Sequence, residues 1–109
     1  RGAPVTGRAA GCAWITGGSS GIGLGMACRY AARGFDVAIF SRDPGRGLAP
    51  IRGAVRDPAA RVEAYAVDVT DARAVREAFD RAATELGPPG LVLNSAGIVS
   101  ARAFQSLAR

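Results

Sequence analysis

"WITGGSSGIGLGMA", residues 14–27, is the stretch whose reading decides the fold. "CAWIT" at 12–16 is a short continuous apolar run, the pattern of a strand covered on both faces. It runs directly into a corner made almost entirely of glycine and serine. From Gly21 to Arg33 the period changes to that of a helix, with Ile22, Met26, Ala27, Tyr30 and Ala31 at compatible spacing and Gly34 placed to cap it. A corner stripped of side chains between a strand and a helix implies that something must approach the backbone closely there.

Working outward, "FDVAIFS" (35–41) predicts a second strand, and the prolines and glycines that follow allow only a short helix around 47–56. "VEAYAVDV" (62–69) predicts a third strand. Between Asp71 and Leu86, Val75, Phe79, Ala82, Ala83 and Leu86 share one helical face, while Arg73 with Glu77, Arg76 with Asp80, and Arg81 with Glu85 are spaced for ion pairs. "GPPG" (87–90) ends that helix. "LVLNSAG" (91–97) predicts a fourth strand entering a second small-residue turn, and "SARAFQSLAR" begins another helix. Strand and helix alternate four times, so the expectation is an α/β fold. It is the first half of a doubly wound parallel sheet, about four β/α units with right-handed crossovers, in one unit over 1–109.

Composition narrows the function. Hydrophobic residues make up 49% and charged residues 21%, which excludes a disordered chain. No apolar run approaches the roughly 20 residues needed to cross a bilayer, and the opening lacks a signal-peptide break, so a cytoplasmic protein is expected. The sequence starts at Arg1 rather than Met and stops at Arg109 inside a helix-like pattern, so a piece of a longer chain is expected. All 14 cations are arginine and there is no histidine, so chemistry needing an imidazole or a lysine ammonium is unavailable to these residues. The net charge of +5 invites a nucleic-acid reading, but the arginines are scattered and alternate with acids, so no nucleic-acid partner is expected. Cys12 and Cys28 lack metal-ligand spacing, and neither a metal site nor a disulfide is implied.

The bare corner has a chemical use. A loop leaving the carboxyl end of a parallel strand and entering a helix offers unpaired amides and the positive end of the helix dipole, and so attracts a phosphate. Gly17 suits the sharp exit from the strand, Gly21 leaves room at the helix start, and Gly23 lets the helix lie close to the sheet. The context, strand then glycines then helix inside a βαβ unit, makes the motif usable.

"TGGSSGIG" (16–23), "DVT" (68–70) and "NSAG" (94–97), in this order and each at a strand end, together resemble the short-chain dehydrogenases/reductases over nearly the whole chain. The resemblance implies a Rossmann-type sheet binding a nicotinamide dinucleotide. It sets the pyrophosphate and ribose against Gly17 to Gly23, with Ile22 beside the pyrophosphate or nicotinamide. It gives Asp68 to the adenine amino group and Val69 to the ring's flank. Asn94, Ala96 and Gly97 would support the central strand and a ribose, with Ser95 where asparagine or cysteine is frequent. At the end of the second strand, Ser41 and Arg42, with Arg46 beyond, favour a 2′-phosphate and so NADP(H), assisted by the Ser19 and Ser20 hydroxyls. The alternative is that Asp43 governs this position and Arg42 is simply solvated.

Members of the family carry a later Tyr-x-x-x-Lys, whose tyrosine acts as the acid. Tyr30 and Tyr65 do not match, since Gly34 and Val69 stand four residues on. The expectation is therefore a parent carbonyl/alcohol oxidoreductase acting on a small molecule, with no catalytic residue in this inactive fragment and a homodimer or homotetramer as the full-length state. Its fourth strand is expected to be left as an unpaired edge, so that the isolated piece associates. The motifs, with Phe104, are also similar to 3-ketosphinganine reductases, and to reductases of other 3-oxoacyl compounds. A non-catalytic NAD(P)-binding regulator or redox sensor is the alternative reading.

Overall fold

The computed structural model describes residues 11–17, 21–94 and 97–99. Ser19, Ser20, Ala96 and the tail expected to start a further helix lie outside the described residues, as does Ser95.

The elements are β1 (Cys12–Thr16), α1 (Gly21–Ala32), β2 (Asp36–Ser41), α2 (Gly45–Ala54), β3 (Val62–Ala66), α3 (Ala72–Leu86), β4 (Leu91–Asn94) and β5 (Gly97–Val99). The sheet order is β3-β2-β1-β4-β5. The first four strands are parallel, with Cys12 paired to Asp36, Thr16 to Phe40, Ser41 to Ala66 and Ile15 to Leu93. This is a Rossmann-like α/β arrangement: the chain builds β1, β2 and β3 in one direction, then returns past β1 to place β4.

Alternation along the strands divides the core between two faces. Trp14, Ala38, Phe40, Tyr65 and Val92 face α3 and meet its Ala78, Phe79, Ala82 and Leu86. Ile15, Val37, Ile39 and Leu93 belong to the cluster that includes Ala27 and Ala31 of α1 and Ile51 of α2. The first cluster is aromatic: Phe40 lies 5.5 Å from Trp14, 5.2 Å from Tyr65 and 4.9 Å from Phe79, centroid to centroid. The Tyr65 hydroxyl, at the base of that cluster, donates to Glu85 Oε1 at 2.5 Å.

Local bonding ends each helix. At the close of α1 the Phe35 N–H donates to the Tyr30 carbonyl at 3.1 Å and the Gly34 N–H to Ala31 at 3.1 Å, a Schellman motif. Its hydrophobic contact is the edge-on packing of Tyr30 against Phe35, 5.0 Å between centroids. Asp71 caps α3 by accepting from the Arg73 and Ala74 N–H groups at 3.1 and 3.2 Å. Arg73–Glu77 and Arg81–Glu85 form at 3.9 and 4.0 Å, whereas Arg76 and Asp80, the third expected pair, do not.

Three boundaries differ from the sequence reading. α2 starts two residues earlier, behind Pro44, and contains Pro50, whose missing N–H leaves one helical bond unmade. β3 stops at Ala66 because Asp68 and Thr70 fold into a turn. β4 stops at Asn94, and Gly97–Val99 folds back antiparallel on it, pairing Val92 with Val99, Leu93 with Ile98 and Asn94 with Gly97. The fourth strand is therefore not an open edge, because the backbone groups that would face solvent are taken by β5; among the described residues β5 itself is outermost.

Candidate nucleotide-binding site

In a parallel sheet all carboxyl ends lie along one border, and the register sets their order. From one side to the other that border carries Asn94 after β4, Gly17 after β1, Ser41 and Arg42 after β2, and Asp68 after β3. Residues that are 77 positions apart in the chain thus become neighbours, and the Thr16 hydroxyl donates to the Leu93 carbonyl at 3.4 Å. The order in which strands are added reverses at β1, between β2 and β4, and such a switch point is where open α/β sheets bind their ligands.

Gly17 leaves β1 with φ of +73°, and its N–H donates to the Phe40 carbonyl at 2.8 Å. That bond ties the corner to β2. Gly21 opens α1 with φ of +60°, is exposed, and among the described residues would have nothing within 4 Å of an added Cβ. The space a side chain would fill lies open beside the first turn, whose leading N–H groups have no partner within the helix. Gly23 is buried. Ile22, 76% exposed, and Val69, 51% exposed, are large apolar residues that the core does not use.

Arg42, Asp43 and Arg46 are all exposed at the end of β2 and the start of α2. The Ser41 hydroxyl is enclosed and has no hydrogen-bond partner among the described residues. Asp68 is exposed and accepts through one oxygen, Oδ1, from the Thr70 N–H at 2.9 Å and the Thr70 hydroxyl at 2.6 Å. These two bonds hold its carboxyl below the usual carboxylate range, with Arg42 adding a smaller attraction. The structure thus brings Gly17, Gly21, Ile22, Arg42, Arg46, Asp68, Val69 and Asn94 to one border, with Gly97 following in backbone outline. Thr70 and Thr16 escaped the sequence reading. Thr70 stands inside the "DVT" motif and could have been found as a turn former; Thr16 carries no local signal. Among the described residues no group of three His, Cys, Asp or Glu side chains could hold a metal, and no helix is long and apolar enough to cross a membrane.

A parallel sheet in this strand order, with a glycine corner at its reversal point, defines the dinucleotide-binding class of α/β folds. The profile of the family described as short chain dehydrogenase matches residues 11–109. The chain belongs to the short-chain dehydrogenase family. It is 35% identical over 97 residues to the "Probable oxidoreductase EphD" of Mycobacterium tuberculosis, covering 83% of this chain and 15% of that one. It is 41% identical over 88 residues to the 1-deoxy-11-beta-hydroxypentalenate dehydrogenase of Streptomyces avermitilis, covering 78% and 31%. The chain therefore spans less than a third of either relative. Among solved structures, an NADPH-bound short chain oxidoreductase of Pseudomonas aeruginosa with an atypical catalytic centre is similar at 33% identity. Its TM-score is 0.69, over 77% of this chain and 33% of that one. An NAD+-bound xylitol dehydrogenase, at 23% identity and a TM-score of 0.69 over 76% and 32%, shares the fold.

Proposed function

We propose that the chain is the NADP(H)-binding portion of a carbonyl/alcohol oxidoreductase. The observation that carries this reading is Arg42: it is exposed on the first residue past β2, beside the bare Gly17 corner. A guanidinium there can meet a 2′-phosphate with paired charge-assisted bonds, and Arg46 adds a second cation. The amides opening α1, uncrowded at Gly21, hold the diphosphate, with Ser19 and Ser20 as further donors. Ile22 and Val69 supply apolar contacts to the nicotinamide side and the adenine. Asp68 accepts from the adenine amine, and Asn94, Ala96 and Gly97 border the nicotinamide ribose.

The bound nicotinamide would supply the hydride acceptor or donor. The residues of this chain bind and orient it and exclude water; they contribute no proton donor, since neither tyrosine is followed by a lysine at the family's spacing. The substrate in this reading is a ketone or secondary alcohol. 3-Ketosphinganine or another 3-oxoacyl compound is the example carried over from the sequence resemblance, and neither curated relative quoted above is named for one. A cytoplasmic homodimer or homotetramer completes the proposal.

The test is cofactor discrimination. Arg42→Ala is expected to weaken NADPH binding about tenfold or more, the loss of a hydrogen bond to a charged group, while NADH binding changes little. An unchanged ratio of the two affinities, measured by calorimetry, would remove Arg42 from the site and leave Asp43 as the governing group.

A further inference from the structure

The turn after β3 contains a contact that cofactor binding as described does not use. Asp68 is exposed, so packing does not fix its side chain. What fixes it is Thr70, whose N–H and hydroxyl both donate to the same oxygen, Oδ1, at 2.9 and 2.6 Å. Two donors on one oxygen restrain the carboxylate, and neither bond of the turn engages Oδ2. The turn is anchored in turn, because the Val67 N–H donates to the Ser41 carbonyl at 2.9 Å, the last rung between β2 and β3, and the Asp71 N–H donates to the Asp68 carbonyl at 2.9 Å. The carboxylate is thereby presented on the same border as Arg42.

We infer that Thr70 is a positioning residue for the dinucleotide: its hydroxyl holds the Asp68 carboxylate in the one orientation that turns Oδ2 toward the adenine amine. The inference rests on the nucleotide site proposed above. Asp68 receives the nucleotide as an acceptor, and an ionised carboxylate is the better acceptor. The Thr70 hydroxyl is also the largest cause of the lowered Asp68 pKa. Removing it therefore disorients the carboxylate and lets it protonate at higher pH, so the acid limb of nucleotide affinity moves up.

The experiment uses the full chain with Thr70→Val, which removes the hydroxyl at similar size, and Thr70→Ser, which keeps it. The Asp68 carboxyl carbon is titrated by NMR without nucleotide. Nucleotide affinity is measured from about pH 3 to about pH 8, with acid-stable NADP+ in place of NADPH below about pH 6, and nicotinamide mononucleotide, which has no adenine, serves as the control. For Thr70→Val we expect a raised Asp68 titration and an NADPH affinity weakened about three- to tenfold, the scale of one exposed charge-assisted bond acting indirectly. Its acid limb should lie at higher pH, with mononucleotide binding unchanged, and Thr70→Ser should restore all of these. The inference is overturned by an Asp68 titration that Thr70→Val leaves unmoved, by wild-type NADPH affinity in that variant across the pH range, or by equal losses for NADPH and the mononucleotide. A wild-type chain that binds neither dinucleotide overturns the proposed function and this inference with it.

Discussion

At Gly17 the backbone enters the left-handed region, φ of +73°, to turn the chain out of β1 while keeping its N–H on the Phe40 carbonyl. An L side chain there would set Cβ against the neighbouring carbonyl, at a cost of about 1–2 kcal/mol. Gly17→Ala is therefore expected to lower unfolding free energy by about that amount in urea titrations followed by circular dichroism. It should also weaken dinucleotide binding. A variant as stable as the parent would show that the corner relaxes without strain. This residue was legible in the sequence because glycine between an apolar run and a helical period has few other uses. Thr70 carries a local signal, a Thr two residues after an Asp, but it is passed over when β3 is read as running through Asp68, where the bond is made in a turn instead. Thr16 was not legible, since its partner carbonyl lies 77 residues away.

The elements show a similar division. The bounds of α3 were legible almost to the residue, since apolar residues repeat at helical spacing and Asp71 caps it, but Ala83, read onto the apolar face, is exposed and Ala78 is buried in its stead. The end of β3 was overextended, because alternation in "VEAYAVDV" continues past the point where Asp68 and Thr70 favour a turn over a rung. β5 could not be read from "NSAGIVS", because strand pairing with β4 depends on a partner edge and not on local propensity. Where β3 meets α3, burial and the Glu85 carboxylate push the Tyr65 hydroxyl above its ordinary pKa near 10.0, with Arg81 over the ring opposing weakly. A folded-state pKa raised above the unfolded one adds stability that is whole below about pH 10 and is lost as pH rises beyond it. The urea midpoint of the wild type should therefore fall steeply above that pH. Tyr65→Phe should lose about 1 kcal/mol at neutral pH with its hydrogen bond, and show a shallower alkaline decline. An equally steep decline in Tyr65→Phe would assign the drop to other groups.

For the whole molecule, the order β3-β2-β1-β4 puts four separately encoded strand ends on one border, and the exposed cations there belong to a chain of net charge +5. Exposed charge interactions fade as the screening length shrinks from about 10 Å at 0.1 M salt toward about 3 Å at 1 M. NADPH, with its extra phosphate, is expected to lose affinity more steeply than NADH as sodium chloride rises from about 0.05 to about 0.5 M; parallel slopes would count against Arg42 and Arg46. The overall class was legible because the strand–helix alternation and three motifs agree with one another, whereas the antiparallel fifth strand needed coordinates. Trp14, the single indole in the sequence, lies two residues before the end of β1, in an apolar enclosure with Phe40 and Phe79 and with its Nε1 unpartnered among the described residues. The fold consequently carries its own optical gauge: an emitter shielded from solvent quenching, whose light a reduced nicotinamide held at the corner would absorb by resonance transfer, making occupancy visible without any added label.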